Sequence, residues 1–327
     1  MSDLFTIYVA PTIGAQGNTG PLKLLAAMDD KLIMFKKNAI YYLTGNGPDN
    51  TGANNDFSDP IFITATVGSA NKNSLVLTPV GIMFQSDKGI WLLGRDLSTN
   101  YIGSPVEAFN NIAVVSAQAI PGTNQVRFML ANGITLMYDY FFQQWGTFTN
   151  LPAISSTLYL DKHTYVNRLG QIFQEQEGMY SDGSNPVLLS FTTSWLNLTG
   201  LQGYERAYFF YILANYVSPH KLTVQIAYDY NSAPAQSSVI TPDNFTGVYG
   251  SDPFYGSGSP YGGTGTIEQW RVFLQQQKCQ AFQLTITESF DASFGTNPGA
   301  GFTMSGLNLV IGAKSGYPRL RASKSVG

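Results

Sequence analysis

The stretch that decides the fold is "SLVLTPVGIMFQSDKGIWLLGR", residues 74–95. Apolar runs lie on both sides of the tetrapeptide "SDKG", in which Asp87 and Gly89 are typical turn residues. Short apolar runs bounded by turn residues predict β-strands. We therefore predict a strand–turn–strand–turn–strand unit over these residues.

Related stretches occur three more times in the first half of the chain. In each copy an isoleucine opens a corresponding strand, and the four isoleucines are spaced by 50, 44 and 38 residues. A repeat of this length with about four strands per copy predicts propeller blades, although unrelated β-hairpins are the alternative. The copies are "LLAAMDDKLIMFKKNAIYYLTG" (24–45), "QVRFMLANGITLMYDYFFQQWGTFT" (125–149) and "HTYVNRLGQIFQEQEGMYSDGS" (163–184), and the isoleucines are Ile40, Ile90, Ile134 and Ile172.

The second half of the chain has strands of a different kind. Apolar and polar residues alternate over 223–228 and 282–287, as in strands with one buried face. This pattern indicates a β-sandwich. We predict an all-β chain in three parts: propeller-like blades over 1–184, a β-sandwich-like domain over 185–312 with a long Gly/Ser/Tyr loop at 246–266, and a basic tail at 313–327.

The composition indicates a subunit of an assembly. Charged residues make up 12% of the chain, about half the usual share, while apolar residues make up 44%. A low share of charged residues suits a surface that is buried against neighbouring subunits, because burying unpaired charge is costly. The alternative is a secreted or virion β-protein with a polar, uncharged surface. We find neither a signal peptide in "MSDLFTIYVAPTIGAQG" nor an apolar run long enough to span a membrane, and expect synthesis in a cytoplasm.

The chain lacks the usual motifs of enzymes. Phosphate-binding, nucleophile-elbow and zinc-protease patterns do not occur, and a single cysteine, Cys279, excludes a disulfide within the chain. Glu175 and Glu177 resemble a glycosidase pair, but such pairs are more often a solvated edge. We expect a turn at Asp229 and a surface position for His220. The chain is therefore predicted to be no enzyme, with no catalytic residue, metal ligand or cofactor.

Two segments are candidates for contact with partners. The loop at 246–266 contributes aromatic side chains to a channel or contact surface, unless it is a plain surface loop. The basic tail pairs with acidic patches on a neighbouring subunit or with nucleic-acid phosphates, and we favour the protein partner. The candidate residues are Tyr249, Phe254, Tyr255 and Tyr261 in the loop and Lys314, Arg319, Arg321 and Lys324 in the tail.

Several phrases of the sequence resemble one protein family. "KGIWLLGRDLSTNYIGSPVEAFN" (88–110) resembles a segment of the tail nozzle, or tail tubular, proteins of short-tailed bacteriophages (podoviruses) and of the related head-completion DNA stabilisation proteins. The stretch at 192–231 and the close "GFTMSGLNLVIGAKSGYPRLRASKSVG" (301–327) are similar to the same proteins. The resemblance covers about residues 24–327.

The resemblance implies a structural role. It implies a β-propeller with added β domains in a homo-hexameric ring below the portal and adaptor, around the channel through which DNA is ejected. The implied partners are the tail adaptor, tail fibre or spike proteins, the host surface, and double-stranded DNA that passes without sequence-specific binding. The implied location is the virion, after assembly in the host cytoplasm. Family members often have more blades, so four blades imply a small or incomplete propeller.

Two other functions compete with this interpretation. The first is a receptor- or carbohydrate-binding adhesin or tail-fibre component, since exposed Tyr and Trp side chains stack on sugars. The second is a propeller glycosidase that would use Glu175 and Glu177.

Overall fold

A computed structural model describes residues 21–183, 185–197, 205–217, 220–241, 267–292 and 301–313. The chain divides into a first unit, Met1–Glu177, and a second unit, Gly178–Gly327. The regular secondary structure of the described part is nearly all β-strand, with short 3-10 helices at Lys72–Ser74, Ser104–Phe109 and Pro121–Thr123. Within the described ranges, no helix has the length and apolarity to cross a membrane.

From residue 21 onward, the first unit consists of four consecutive antiparallel meanders, each pairing strands that are neighbours in sequence. We call them blades 1 to 4. Blade 1 contains β1 (Leu22–Met28), β2 (Lys31–Lys36), β3 (Ile40–Thr44) and β4 (Ile61–Thr64), and blade 2 contains β5 (Val76–Thr78), β6 (Gly81–Ser86), β7 (Gly89–Gly94) and β8 (Thr99–Tyr101). Blade 3 contains β9 (Val114–Ile120), β10 (Gln125–Leu130), β11 (Thr135–Asp139) and β12 (Gln144–Phe148), and blade 4 contains β13 (Ala153–Tyr159), β14 (Lys162–Asn167) and β15 (Ile172–Gln174).

The turn at residues 87–88 sets the register of blade 2. Ser86 pairs with Gly89 and Phe84 with Trp91, so the two apolar runs face each other across the hairpin. Gly89 has φ +98°, which favours glycine. The predicted turn is confirmed, and each of the four repeated isoleucines lies within one residue of the start of its blade's third strand.

Apolar side chains between successive blades form the core of the first unit. Phe35 of blade 1 meets Phe84 of blade 2 edge to face, with ring centroids 5.1 Å apart, and both are fully buried. A second cluster joins blade 2 to blade 3 through Met83 and Phe128, and a third joins blade 3 to blade 4 through Met129 and Tyr165. These layers hold the blades face to face, as the propeller prediction requires.

One buried glutamine joins blade 2 to the first strand of blade 3. The Gln85 side chain donates to the carbonyl of Ile112 at 2.7 Å and accepts from the amide of Val114 at 2.9 Å and from Asn71 Nδ2 at 3.0 Å. This one side chain therefore makes three hydrogen bonds at the blade interface.

Replacing Gln85 with leucine is expected to lower the free energy of unfolding by about 2 kcal/mol, because buried donors and acceptors lose their partners. Urea unfolding followed by tryptophan fluorescence would measure this change. Gln144→Leu, at an exposed position, is the control and should shift stability by no more than about 0.5 kcal/mol. Equal effects of the two changes would contradict the structural role of Gln85.

Two facing sheets form most of the second unit. A small hairpin, β16 (Ser181–Asp182) and β17 (Asn185–Pro186), precedes them. The first sheet has the order β18–β24–β20–β21, and the second has β19 between β22 and β25, with β23 also paired to β19. The bounds are β18 (Ser190–Thr192), β19 (Glu205–Val217), β20 (His220–Tyr228), β21 (Gln236–Ile240), β22 (Ile267–Phe273), β23 (Lys278–Cys279), β24 (Phe282–Phe290) and β25 (Gly301–Ala313).

Alternating side chains of the two sheets form one core. Val224 and Ile226 from β20 and Leu284 and Ile286 from β24 pack in the same cluster as Phe210 of β19. Their polar neighbours point to the other face, which confirms the alternation predicted for 223–228 and 282–287. The all-β fold, with propeller-like blades followed by a β-sandwich-like unit, is therefore as predicted.

Candidate functional site

The blades of the first unit share two rims. In an antiparallel meander, the turns after the first and third strands lie at one end, and the turn after the second strand lies at the other. Contacts between blades join like ends: Arg95 bonds to Asp29 at the first end, and Lys37 Nζ lies 3.1 Å from an Asp87 carboxylate oxygen at the second. The turns of successive blades therefore line up into two rims.

The two rims carry opposite charge. On the first, exposed carboxylates far outnumber exposed cations, and we call it the acidic rim. On the second, cations are in excess, and we call it the basic rim. The acidic rim carries Asp29, Asp30, Asp49, Asp56, Asp59, Asp96, Asp161, Glu175 and Glu177 against Lys31, Arg95 and Lys162, and the basic rim carries Lys37, Lys72, Lys88 and Arg168 against Asp87 and Glu107.

The β11–β12 turn presents two phenylalanines to solvent on the acidic rim. Phe141 is 70% exposed and Phe142 is 68% exposed, and their rings form an edge-to-face pair with centroids 4.9 Å apart. Asp139 Oδ1 accepts a hydrogen bond from each of their amides, both at 2.9 Å. Trp145, behind the turn, stacks on Tyr138. We call this turn the phenylalanine tip; it is a fixed apolar projection.

The β13–β14 turn of the same rim is also apolar and exposed. Tyr159 is 60% exposed and Leu160 is 76% exposed, although exposing the apolar side chain of a leucine to water is unfavourable. Leu160 also has φ +53°, a left-handed conformation that is unfavourable for any residue with a Cβ other than Asn or Asp. Strained positions of this kind are common at sites of function.

A small pocket opens on the basic rim between blades 3 and 4. Its volume is about 150 Å³. Its lining is mainly apolar and ends at the Arg168 side chain, whose guanidinium donates to the carbonyl of Ala131. The lining residues are Val115, Leu130, Asn132, Gly133, Pro152, Ala153, Ile154 and Arg168.

A buried arginine organises the interface between blades 3 and 4 near the acidic rim. Arg127, 5% exposed, donates from both terminal nitrogens to the carboxylate of Glu175, at 2.7 and 3.1 Å. Its guanidinium lies 5.1 Å from the centre of the Phe148 ring. Glu175 therefore serves to pair a buried cation, since both of its oxygens are engaged.

His163 completes this ionic cluster. Its Nδ1 lies 3.1 Å from Arg127 Nη1, and because arginine only donates, Nδ1 accepts and the ring proton lies on Nε2. Burial and the adjacent Arg127 charge lower the pKa of His163 from 6.5 to about 4, against the opposing effect of Glu175. His163 is therefore neutral in the folded protein near pH 7.

Glu175→Ala is expected to destabilise the first unit by about 2 kcal/mol. The change leaves a buried guanidinium without its carboxylate, although water reaches the half-exposed Glu175 side and limits the loss. Urea unfolding would measure the change. The matched control is Glu177→Ala, an exposed carboxylate two residues away, for which we expect a shift within about 0.5 kcal/mol. A large effect of the control would contradict the assignment.

The second unit contains a buried histidine–carboxylate pair. His220 Nδ1 lies 2.6 Å from Glu288 Oε1, and Glu288 Oε2 accepts from the amide of Leu189 at 2.9 Å. His220 is fully buried, so the predicted surface position was wrong: the neighbouring sequence gives no sign that β20 pairs with β24. A Cβ at Gly301 would collide with Glu288, so the pair also requires a glycine there.

One sheet of the second unit displays aromatic side chains on its outer face. Arg271 lies over the rings of Phe209 and Tyr211, at 5.0 Å from each centroid, and donates to the Tyr211 hydroxyl at 2.6 Å. Phe273, 60% exposed, completes the group. This face offers rings next to a hydrogen-bonding cation.

The structure tests only some of the sequence-derived candidates. The aromatic loop residues Tyr249, Phe254, Tyr255 and Tyr261 and the basic tail residues Lys314, Arg319, Arg321 and Lys324 lie outside the described residues. Asp229 is in a turn with φ +54°, as predicted, and Cys279 is fully buried. Among the described residues, no three His, Cys, Asp or Glu side chains converge as a metal site.

Comparison with known proteins gives distant likenesses only. No family model matches the chain, and no curated protein matches it. Among solved structures, the chain is similar to an exo-β-1,3-galactanase from Phanerochaete chrysosporium with galactose, at 9% identity and TM-score 0.28 over 92% of this chain and 84% of that one. It is also similar to a Bacillus thuringiensis Cry1Da tryptic core variant, at 10% identity and TM-score 0.21 over 90% of this chain and 51% of that one. Neither likeness bears on function.

Proposed function

We propose that this chain is a structural subunit of a short-tailed bacteriophage tail, which forms a nozzle or hub ring around the DNA ejection channel below the portal and adaptor. The observation that carries the proposal is the acidic rim, where a fixed phenylalanine tip projects into solvent. A large apolar projection of this kind is unfavourable in a free monomer and marks a contact surface.

The rest of the described structure supports a structural role. Of the two carboxylates that resembled a catalytic pair, Glu175 holds blades 3 and 4 together, because it neutralises the buried Arg127. Each blade is a rigid meander packed on the next, which suits a part that carries load.

Mass measurement of the purified protein in solution tests the proposal. The protein is measured alone and after mixing with its candidate portal and adaptor proteins. We expect a ring of about six copies, alone or on the adaptor. A stable monomer that ignores both partners would overturn the nozzle assignment.

The second candidate is a carbohydrate-binding adhesin, which the outer face with Phe209, Tyr211, Arg271 and Phe273 favours. Aromatic rings beside a hydrogen-bond donor can stack on and orient a sugar. A glycan array would test it with the full chain and with Tyr211→Ala. Binding that is lost in the variant would favour the adhesin, and an array without signal would exclude it for the glycans tested.

A further inference from the structure

The two rims of the first unit match each other in shape and charge. The phenylalanine tip projects from the acidic rim at blade 3, and the pocket opens on the basic rim between blades 3 and 4. Both belong to the same pair of blades but to opposite ends. Because the projecting tip and the pocket lie at opposite ends of one unit, the tip of one copy can meet the pocket of the next.

The pocket has the size of one aromatic ring. A cavity of about 150 Å³ lined by apolar side chains holds a benzene molecule in a well-studied case. Leu130, Pro152 and Ile154 supply apolar walls of this kind, and Ile154 is 42% exposed in the single chain. One phenyl ring of the tip would fill the pocket and cover Ile154.

Charge complementarity indicates that the group in the pocket comes from a second copy of this chain. Arg168 at the pocket edge is exposed and belongs to a rim with excess cations, whereas Asp161 and Glu177 lie on the rim that carries the tip. Copies joined end to end bring these charges together, while copies joined through identical rims bring like charges together. Like-charge contacts of that kind oppose association.

We propose that copies of this chain associate head to tail, with one ring of Phe141 or Phe142 from the acidic rim of one copy seated in the pocket beside Arg168 on the basic rim of the next. Such a heterologous contact gives a closed ring if the rotation between copies closes, and an open stack otherwise. The inference deepens the proposed function and rests on its premise that copies of the chain associate.

Further exposed apolar side chains on the two rims extend this contact. Leu160 lies on the same rim as the tip and is held in a left-handed conformation with 76% of its surface exposed. Leu169 lies next to Arg168 on the opposite rim and is 82% exposed. Head-to-tail association would bury such groups around the central ring, where they exclude water from it.

Sedimentation of single variants measures the strength of the contact. Phe142→Ser and Phe141→Ser test the two rings, and we expect at least one to weaken self-association about 30-fold, as for a central aromatic anchor. Arg168→Glu should weaken it about tenfold. Val239→Ser, an equally exposed apolar position of the second unit, is the control and should leave it unchanged. Unchanged association in all three rim variants would overturn the proposal.

Crosslinking between two variants that each carry one added cysteine tests the polarity of the contact. Gln144→Cys lies beside the tip and Leu169→Cys beside the pocket, both exposed, and the native Cys279 is buried. With a short bismaleimide, we expect dimers when the two variants are mixed and almost none from either alone. Dimers that form equally well from one variant alone would overturn head-to-tail association.

The two proposals fail in different ways. Suppose that a ring forms on the adaptor, that the rim variants self-associate as strongly as the parent protein, and that the mixed cysteine variants do not crosslink. The nozzle assignment then stands and the head-to-tail contact is overturned. If mixed variants crosslink while no ring forms with the portal and adaptor, the contact stands and the nozzle assignment fails. Flotation with phosphatidylcholine vesicles that depends on Phe142, with unchanged self-association, would assign the tip to a membrane and overturn the contact.

Discussion

Replacing Glu288 with alanine is expected to lower the free energy of unfolding of the second unit by about 4 kcal/mol. The change removes the partner of the fully buried His220 and of the Leu189 amide in one step. Each buried polar group left without its hydrogen-bond partner costs about 1 to 3 kcal/mol, and this change leaves two. Urea unfolding of the full chain would measure the loss.

A signal from the second unit alone makes this measurement specific. With Trp91 and Trp145 replaced by phenylalanine, the remaining tryptophans, Trp195 and Trp270, report on the second unit. Glu288→Gln keeps the shape and an acceptor oxygen, so it should lose less than the alanine variant. An alanine variant as stable as the parent protein would contradict the structural importance of the pair.

Acidification from pH 6.5 to pH 4 is expected to destabilise the first unit by up to about 3 kcal/mol. Folding lowers the pKa of His163 from 6.5 to about 4, so between these values the unfolded chain binds a proton that the folded chain does not. The free energy of unfolding therefore falls as pH falls through this range. The magnitude follows from about 1.4 kcal/mol for each pKa unit.

The pH profile of a His163→Gln variant tests this prediction. Tryptophan fluorescence reports on the first unit when Trp195 and Trp270 are replaced by phenylalanine. Between pH 6.5 and pH 4, the free energy of unfolding of the variant should change with pH much less than that of the parent protein. His220→Gln, in the second unit, is the control and should leave the slope of the first unit in place. A parallel pH dependence in parent and His163 variant would contradict the role of His163.

The sequence predicted the fold well because blades and alternating strands are local patterns. Each turn of the repeat combines residues that accept sharp backbone bends with apolar runs of strand length, as Asp87 and Gly89 show. The repeat then indicated four blades, since unrelated hairpins would not place Ile40, Ile90 and Ile172 within one residue of the start of the third strand. Alternation over 223–228 likewise gave the buried face of β20.

The site residues were harder to predict because they depend on contacts between distant residues. Glu175 has its role through Arg127, 48 residues earlier, and His220 through Glu288, 68 residues later. Nothing in the neighbouring sequence marks either pair. The phenylalanine tip had a local signal, since "DYFFQQ" (139–144) places two phenylalanines in a hairpin turn where polar residues are usual.

The strand order has a consequence for how the chain is made. Every strand of the first unit pairs with a strand next to it in sequence, so this unit has low contact order and each blade can form soon after it leaves the ribosome. In the second unit, β19 pairs with β25, and β18 pairs with β24 about a hundred residues later. During synthesis the nascent chain therefore carries a folded first unit while one edge of β19 still lacks its partner strand β25. Premature termination before residue 301 would leave that unpaired strand edge open to aggregation.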